Sequence, residues 1–404
     1  MRWLKKNLIC EVDVILLVIL FLSSNLRIYY YILPLFAYLL LLIIKKDGII
    51  KKTKDAYLQI FYFYCIFTAI VGIHNLSSRA WPYLRDIINV VAVLIIIQIS
   101  RLHAEKNRYK MSVLYKTMLI YFAYRCLISL IPILHLLIQG KDFLAILNAN
   151  RPSELVLGIG LYMVFFMRQN LFTKGFNCFI KVIIFLTFAL SLSRTSIVVF
   201  MILLFFSIKD RTSVFLKTIM VILIGVFCLY EFYPELVNSY IQKIARSSLE
   251  ISNKMNWNEI TITNNWRGYE IYCAQEQFKN SDTITQLIGS GYGASIDVKG
   301  YAYLVTTEDK LPYLHNGYYN VLIRSGILGI LSNMLFYVFL FIRIKKTNIN
   351  KSEKDLLYGL VISMVVMSWV VGGIFTGGNY DFWIFVIWLL GGKVKQDESV
   401  NYYN

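Results

Sequence analysis

Residues 314–342 read LHNGYYNVLIRSGILGILSNMLFYVFLFI, and the basic residues Arg343, Lys345 and Lys346 follow at once. A helix needs about 20 mostly apolar residues to cross roughly 30 Å of hydrocarbon. This stretch exceeds that length while carrying one full charge, Arg324. Its apolar run is continuous and lacks the alternation of a membrane-barrel strand, so it predicts a transmembrane helix. Similar runs lie near 8–24, 26–44, 56–73, 83–99, 112–138, 153–167, 176–192, 195–208, 214–231, 355–373 and 379–392. The expected fold class is therefore an all-α polytopic membrane protein of about twelve transmembrane helices. Composition agrees: of 404 residues, 57% are hydrophobic and only 16% charged, and the mean hydropathy is +0.58. Soluble domains carry about 25% charged residues.

The formal charge of +17 admits nucleic acid, an anionic substrate or topology as its cause, and the placement of the cations decides. Arg2, Lys5 and Lys6 precede the first span, and Lys45, Lys46, Lys51, Lys52 and Lys54 follow the second. Clusters recur after alternate spans, down to Lys351 and Lys354 and then Lys393 and Lys395. The opposite short loops hold only Arg27, Arg79, Lys141, Arg151 and Arg194. By the positive-inside rule both termini are expected in the cytoplasm. The excess is an orientation signal. Glu11 and Asp13 interrupt the first apolar run, so that span reads as a retained anchor and not a cleaved signal. Five of the six cysteines fall in or beside spans and Cys273 stands alone, which builds neither a disulfide framework nor a zinc site.

The chain divides into a transmembrane bundle (1–231, about nine helices), an extracytoplasmic loop (232–313), C-terminal transmembrane helices (314–392) and a cytoplasmic tail (393–404). The loop carries seven basic and nine acidic residues. A loop this long is functional or disordered, and its Trp, Tyr and Ile content argues against disorder. Leu236, Val237, Tyr240, Ile241, Ile244 and Leu249 have the spacing of an amphipathic surface helix. A second helix is expected from Trp266 to Phe278, with Asn264 or Asn265 as its N-cap.

Three residues at the outer surface are candidates for chemistry. Arg194, in Ser193-Arg194-Thr195, sits at the break between two spans, where a guanidinium has a partner, a task, or a route to the headgroups. Its planar fork suits a diphosphate. Arg267 falls in the first turn of the loop helix, where the dipole does not favour a cation. It binds an anion there or simply pairs with Glu270, its i+3 neighbour. His315 opens a span, and an imidazole at the interface can accept a proton near neutral pH. Gly289, Gly291 and Gly293 permit tight turning or close ligand approach, but their spacing is not a dinucleotide fingerprint. Arg85 and Asp86 are expected to pair with neighbours or bind a headgroup.

In order along the chain, Ser193-Arg194-Thr195, Trp266-Arg267-Gly268, Gly289 to Gly293, His315-Asn316-Gly317-Tyr318 and Gly326-Ile-Leu-Gly329 resemble the O-antigen polymerase and O-antigen ligase superfamily of bacterial surface-polysaccharide assembly. The informative part covers roughly 185–332; the first half matches in hydropathy alone. Where the family often has an acidic or polar residue before Gly326, Arg324-Ser325 stands here and receives no role.

The resemblance implies an inverting glycosyltransferase of the GT-C type that uses an undecaprenyl-diphosphate-linked sugar, with no cofactor, nucleotide or metal. It implies His315, Arg267 and Arg194 as catalytic residues, and Asn316, Gly289, Gly291, Gly293 and Arg85 as substrate-binding ones. The implied partners are undecaprenyl-diphosphate-linked glycans, the lipid bilayer, a chain-length regulator and a flippase, with no nucleic acid. The implied place is the bacterial inner or plasma membrane, with the large loop outside. A repeat-unit polymerase for O-antigen, capsule or exopolysaccharide is the first expectation, since polymerases diverge strongly in sequence. A ligase of the same superfamily is the second. A lipid-linked oligosaccharide flippase fits less well, because transporters gather polar groups at the bilayer midplane and keep their loops short.

Overall fold

The computed structural model describes residues 28–44, 55–105, 111–139, 154–166, 172–191, 193–207, 256–376 and 379–391, with isolated positions between 220 and 241. The expected spans 8–24 and 214–231 and the amphipathic stretch 236–249 lie wholly or mostly outside the described residues. Among those residues every regular element is helical and there is no strand. In chain order the helices before the long loop are α1 (Ile28–Ile44), α2 (Ala56–Val71), α3 (Asn75–Ser78), α4 (Ala80–Glu105), α5 (Met111–Ile138), α6 (Glu154–Phe166), α7 (Lys174–Ser191) and α8 (Arg194–Ser207). The loop contributes α9 (Glu259–Asn264), α10 (Trp266–Lys279) and α11 (Thr283–Ile288). The chain then continues through α12 (Gly317–Lys346), α13 (Lys351–Met367) and α14 (Tyr380–Gly391).

Four stretches, Ala56–Ser78, Ala80–Leu102, Leu114–Leu136 and Gly317–Lys346, are helical, long and apolar enough to cross a membrane. Shorter apolar helices accompany them at Leu155–Val164, Arg194–Phe206 and Tyr380–Gly391. Large apolar side chains such as Leu33, Phe63, Ile138 and Phe205 point outward, as lipid-facing residues do.

In lipid, apolar surface gains little by leaving one apolar neighbour for another, so packing and small residues decide which helices meet. Gly359 of α13 lets Leu203 of α8 approach, and Gly158 of α6 sits against Val199 of the same helix. An aromatic cluster joins α2, α12, the turn at Ile374–Thr376 and α14. There Phe61 lies 4.6 Å from Trp383 and 5.4 Å from Phe375, and Phe336 lies 5.3 Å from Phe375, centroid to centroid. Edge-on pairs of this kind contribute about 0.5–1.5 kcal/mol beyond their buried area.

The long loop folds on a second core of its own, built from Ile262, Tyr269, Cys273, Ala274, Ala294, Ile296, Val298, Ala302, Leu311 and Leu314, with Ile323 of α12. Ile296 and Leu311 exchange two backbone hydrogen bonds of 2.9 Å across an isolated antiparallel bridge. Cys273 is fully part of this core; burial pushes its thiol up to about 11, and it packs as an apolar residue.

The loop is stitched to the bundle at a break in α12. Gly326 has φ 58° and ψ −156° in mid-helix, a conformation open to glycine. Just before the break, the carbonyls of Ile323 and Arg324 accept from the amides of Ser290 and Gly291, at 2.9 and 2.7 Å. On its other side the same segment meets α2: the amide of Tyr292 donates to the Thr68 carbonyl at 3.2 Å. Asn75 closes the arrangement, its side-chain amide donating to the carbonyls of Ser290 and Tyr292 at 2.7 and 2.9 Å. Backbone thus crosses backbone with no room for a side chain. A methyl group on Gly291 would lie 2.1 Å from Gly72 Cα, and one on Gly289 would lie 2.3 Å from the Arg324 carbonyl carbon.

Gly291→Ala is therefore expected to destabilise the folded protein by about 1–3 kcal/mol through steric overlap and a positive φ. Gly175→Ala, at a position with open space around it, is the matched control. Unfolding midpoints in detergent check the contrast.

Candidate functional site

The segment Leu311–Asn316 runs between two buried carboxylates, one from the bundle and one from the loop. The first is Asp86, near the start of α4 and 2% exposed. Its Oδ2 accepts from the Gly293 amide at 3.0 Å and pairs with Arg324 Nη2 at 2.8 Å. Its Oδ1 accepts from the Tyr313 hydroxyl at 2.7 Å. Arg324, 3% exposed, also donates to the Pro312 carbonyl at 3.1 Å. The Tyr313 ring lies against two guanidiniums, with Arg85 at 4.6 Å and Arg324 at 4.8 Å. Burial and the neighbouring Asp86 charge push the Tyr313 phenol above its ordinary range, so it stays a neutral donor. Arg85 lies 3.7 Å from both Asp86 and Glu308, too far for a hydrogen bond to either.

The second carboxylate is Glu270, on α10 and 1% exposed. His315 meets it twice: the backbone amide donates to Oε2 at 3.0 Å, and ring Nδ1 lies 2.9 Å from Oε1 and 3.1 Å from Oε2. The indole of Trp266, one turn earlier on α10, donates to Oε1 at 2.5 Å. Half of the His315 side chain stays open, at 51% exposure. Glu270 is thus committed to His315 and Trp266, and the surface pair with Arg267 does not form. Arg267 is half-buried, and no hydrogen bond or ion pair ties it to another described residue.

Asn316 works as the N-cap of α12. Its Oδ1 accepts from the amides of Tyr318 and Tyr319 at 3.0 and 3.1 Å, and its Nδ2 donates to the Trp369 carbonyl at 2.9 Å. This satisfies donors that a helix start otherwise leaves orphaned. The Gly317 amide donates to the Ser368 carbonyl at 2.7 Å, and the Tyr318 hydroxyl to that of Val365 at 2.7 Å. His315 is held where α13 ends.

Arg194 starts α8 and is half-buried. Helices α8 and α13 touch at Leu203–Gly359 and at Phe206–Tyr358, whose rings lie 6.3 Å apart. Both contacts lie in the second half of α8, away from Arg194 at its start. Arg85 and the three glycines gather around Asp86 and the α12 break, where neighbouring backbone fills the space above Gly289 and Gly291. Among the described residues no three His, Cys, Asp or Glu side chains cluster as metal ligands.

Asp86 was expected to pair with neighbours or bind a headgroup, and it pairs; Glu270 and Arg324 were given no part in the site. Glu270 was expected at most to face Arg267, yet its position four residues after Trp266 puts both on one helix face. Asp86 and Arg324 lie 238 positions apart in sequence, and nothing local marks them as partners. A charged residue within an apolar run was the available signal for Arg324.

Residues 179–334 match the family model described as O-antigen ligase, consistent with the O-antigen polymerase and ligase superfamily that the motif order resembles. No curated protein matches the chain. The matched residues include Arg194, Arg267, Glu270, His315 and Arg324; three helices long and apolar enough to cross a membrane precede the match, and a fourth, Gly317–Lys346, overlaps its end. The apolar helices suggest a multi-pass membrane protein, and residues 179–334 are similar to the O-antigen ligase family.

Breaking the Asp86–Arg324 pair leaves a buried charge alone. Asp86→Leu or Arg324→Met alone is expected to cost about 3–5 kcal/mol. The double replacement Asp86→Leu with Arg324→Met should cost less than the sum of the singles, because neither charge is then stranded. Denaturant unfolding of the four proteins in micelles measures this.

Proposed function

We propose that the chain is a surface-polysaccharide repeat-unit polymerase, an inverting glycosyltransferase of the GT-C type with about twelve membrane helices. It joins undecaprenyl-diphosphate-linked oligosaccharides at the outer face of the inner or plasma membrane, with both termini in the cytoplasm. The observation that carries the reading is the place of His315. It is a half-open imidazole just before α12, inside the segment that matches the O-antigen ligase family, which also contains Arg194 and Arg267.

In the proposed step, His315 takes the proton of an acceptor sugar hydroxyl. The hydroxyl oxygen attacks the anomeric carbon of the donor and a new C–O bond forms. The bond from that carbon to the diphosphate oxygen breaks, and the lipid diphosphate leaves with the electron pair. Arg194 and Arg267 stabilise its growing charge; the bidentate guanidinium suits phosphate oxygens, and a preorganised cation lowers the barrier without rearranging. Asn316 holds the start of α12 so that His315 stays at the surface. The Gly289–Gly293 turn and Arg85 set the loop against the bundle. A flippase and a chain-length regulator are the expected partners, one to deliver lipid-linked repeats and one to limit the polymer.

The second reading is a ligase that passes a finished glycan to a lipid or protein acceptor, and the description of the matching family favours it. A deletion strain separates the two. One capped repeat per acceptor is the expected profile for a lost polymerase, whereas long polymer stranded on the lipid carrier would establish the ligase. Replacement of His315, Arg267 or Arg194 by Ala is expected to stop chain growth while single lipid-linked repeats accumulate outside. Repeats trapped on the cytoplasmic face would instead indicate a flippase.

A further inference from the structure

We propose that Glu270 is a positioning residue for the transfer, holding His315 in one tautomer with Nε2 bare toward the acceptor hydroxyl. The proposal rests on the reading of His315 as the base. Three donors converge on this carboxylate: the Trp266 indole, the His315 amide and the His315 ring. An ionised carboxylate offers acceptors alone, so its contact with the ring requires the proton on Nδ1. In the neutral imidazole the lone pair then sits on Nε2, which has no hydrogen-bond partner among the described residues.

Two features make the arrangement more than a surface contact. Glu270 is 1% exposed while the His315 side chain is 51% exposed, so the restrained edge of the ring is the inner one. The same carboxylate also holds the His315 backbone amide, so the main chain and the ring are anchored to one group and their relative orientation is set. Trp266 in turn fixes Oε1 from the same helix.

When Nε2 takes the hydroxyl proton, the imidazolium that forms carries its charge next to Glu270, which stabilises it without itself accepting the proton. The proton leaves later from Nε2, and Glu270 ends the cycle as it began. Asp86 cannot play this part. Its oxygens are taken by Gly293, Tyr313 and Arg324.

Nitrogen-15 NMR of histidine-labelled protein in lipid tests the assignment before any turnover. The chain has four histidines, and His315→Gln assigns the signal of interest. The expected result is a protonated Nδ1 and an unprotonated Nε2 at His315. Glu270→Gln, whose amide can donate to Nδ1, should move the proton to Nε2. In assays with lipid-linked repeats, Glu270→Gln should lower kcat by roughly 10²-fold or more while KM changes little, and Glu270→Asp should recover part of the loss. Unfolding midpoints of Glu270→Asp and wild type confirm that the fold is kept.

A wild-type proton on Nε2, or a tautomer indifferent to Glu270→Gln, overturns the proposal. A dead His315→Gln beside a fully active Glu270→Gln removes Glu270 alone and leaves the base reading intact. Normal turnover by His315→Gln removes the base reading, and the positioning role goes with it.

Discussion

A carboxylate withdrawn from water must be met by donors or it destabilises whatever holds it. Asp86 meets that condition through the Gly293 amide, the Tyr313 hydroxyl and the Arg324 guanidinium. These come from the glycine-rich turn, the segment before α12, and α12 itself. Satisfying one charge therefore requires three distant parts of the chain to arrive together. The long loop is thereby held against the bundle by directional bonds that tolerate little drift. Apolar packing alone would allow more, because hydrocarbon does not distinguish one apolar face from another.

The glycine-rich turn and the α12 break are two halves of one solution. A helix broken in an apolar region exposes carbonyls that lipid cannot satisfy. Here Ser290 and Gly291 supply donors to Ile323 and Arg324, and the break becomes the socket into which the loop plugs. Glycine is needed on both sides because the approach is backbone to backbone: Gly291 lies over Gly72, and Gly326 over Leu287. Function builds on this rigidity. His315 lies two residues beyond Tyr313, so the Asp86 cluster anchors the segment that carries it and Glu270 holds His315 itself.

Much of this was legible in the sequence. The runs at 56–73, 112–138 and 176–192 became helices Ala56–Val71, Met111–Ile138 and Lys174–Ser191, since a membrane span is a property of a contiguous stretch. The break before Arg194 and the loop helix from Trp266 were equally local. Asn265 does begin that helix, but no side-chain bond caps it; the capping box instead belongs to Asn258 and Thr261, one helix earlier. Glycines 289, 291 and 293 stood out as a turn, and all three have positive φ. That the space beside them belongs to other backbones was not readable, because the neighbours come from residues more than thirty positions away.

The sequence by itself determined, among the described residues, the helices and their apolar length. A bilayer judges those features one segment at a time. Only the tertiary structure decided which charges are partners. Glu270 belongs to His315 and not to Arg267, and Arg324 belongs to Asp86. The physical reason is that a buried charge is stabilised by whatever donors lie within about 3 Å, and that distance is fixed by how helices and loop pack. Chain order does not contain it.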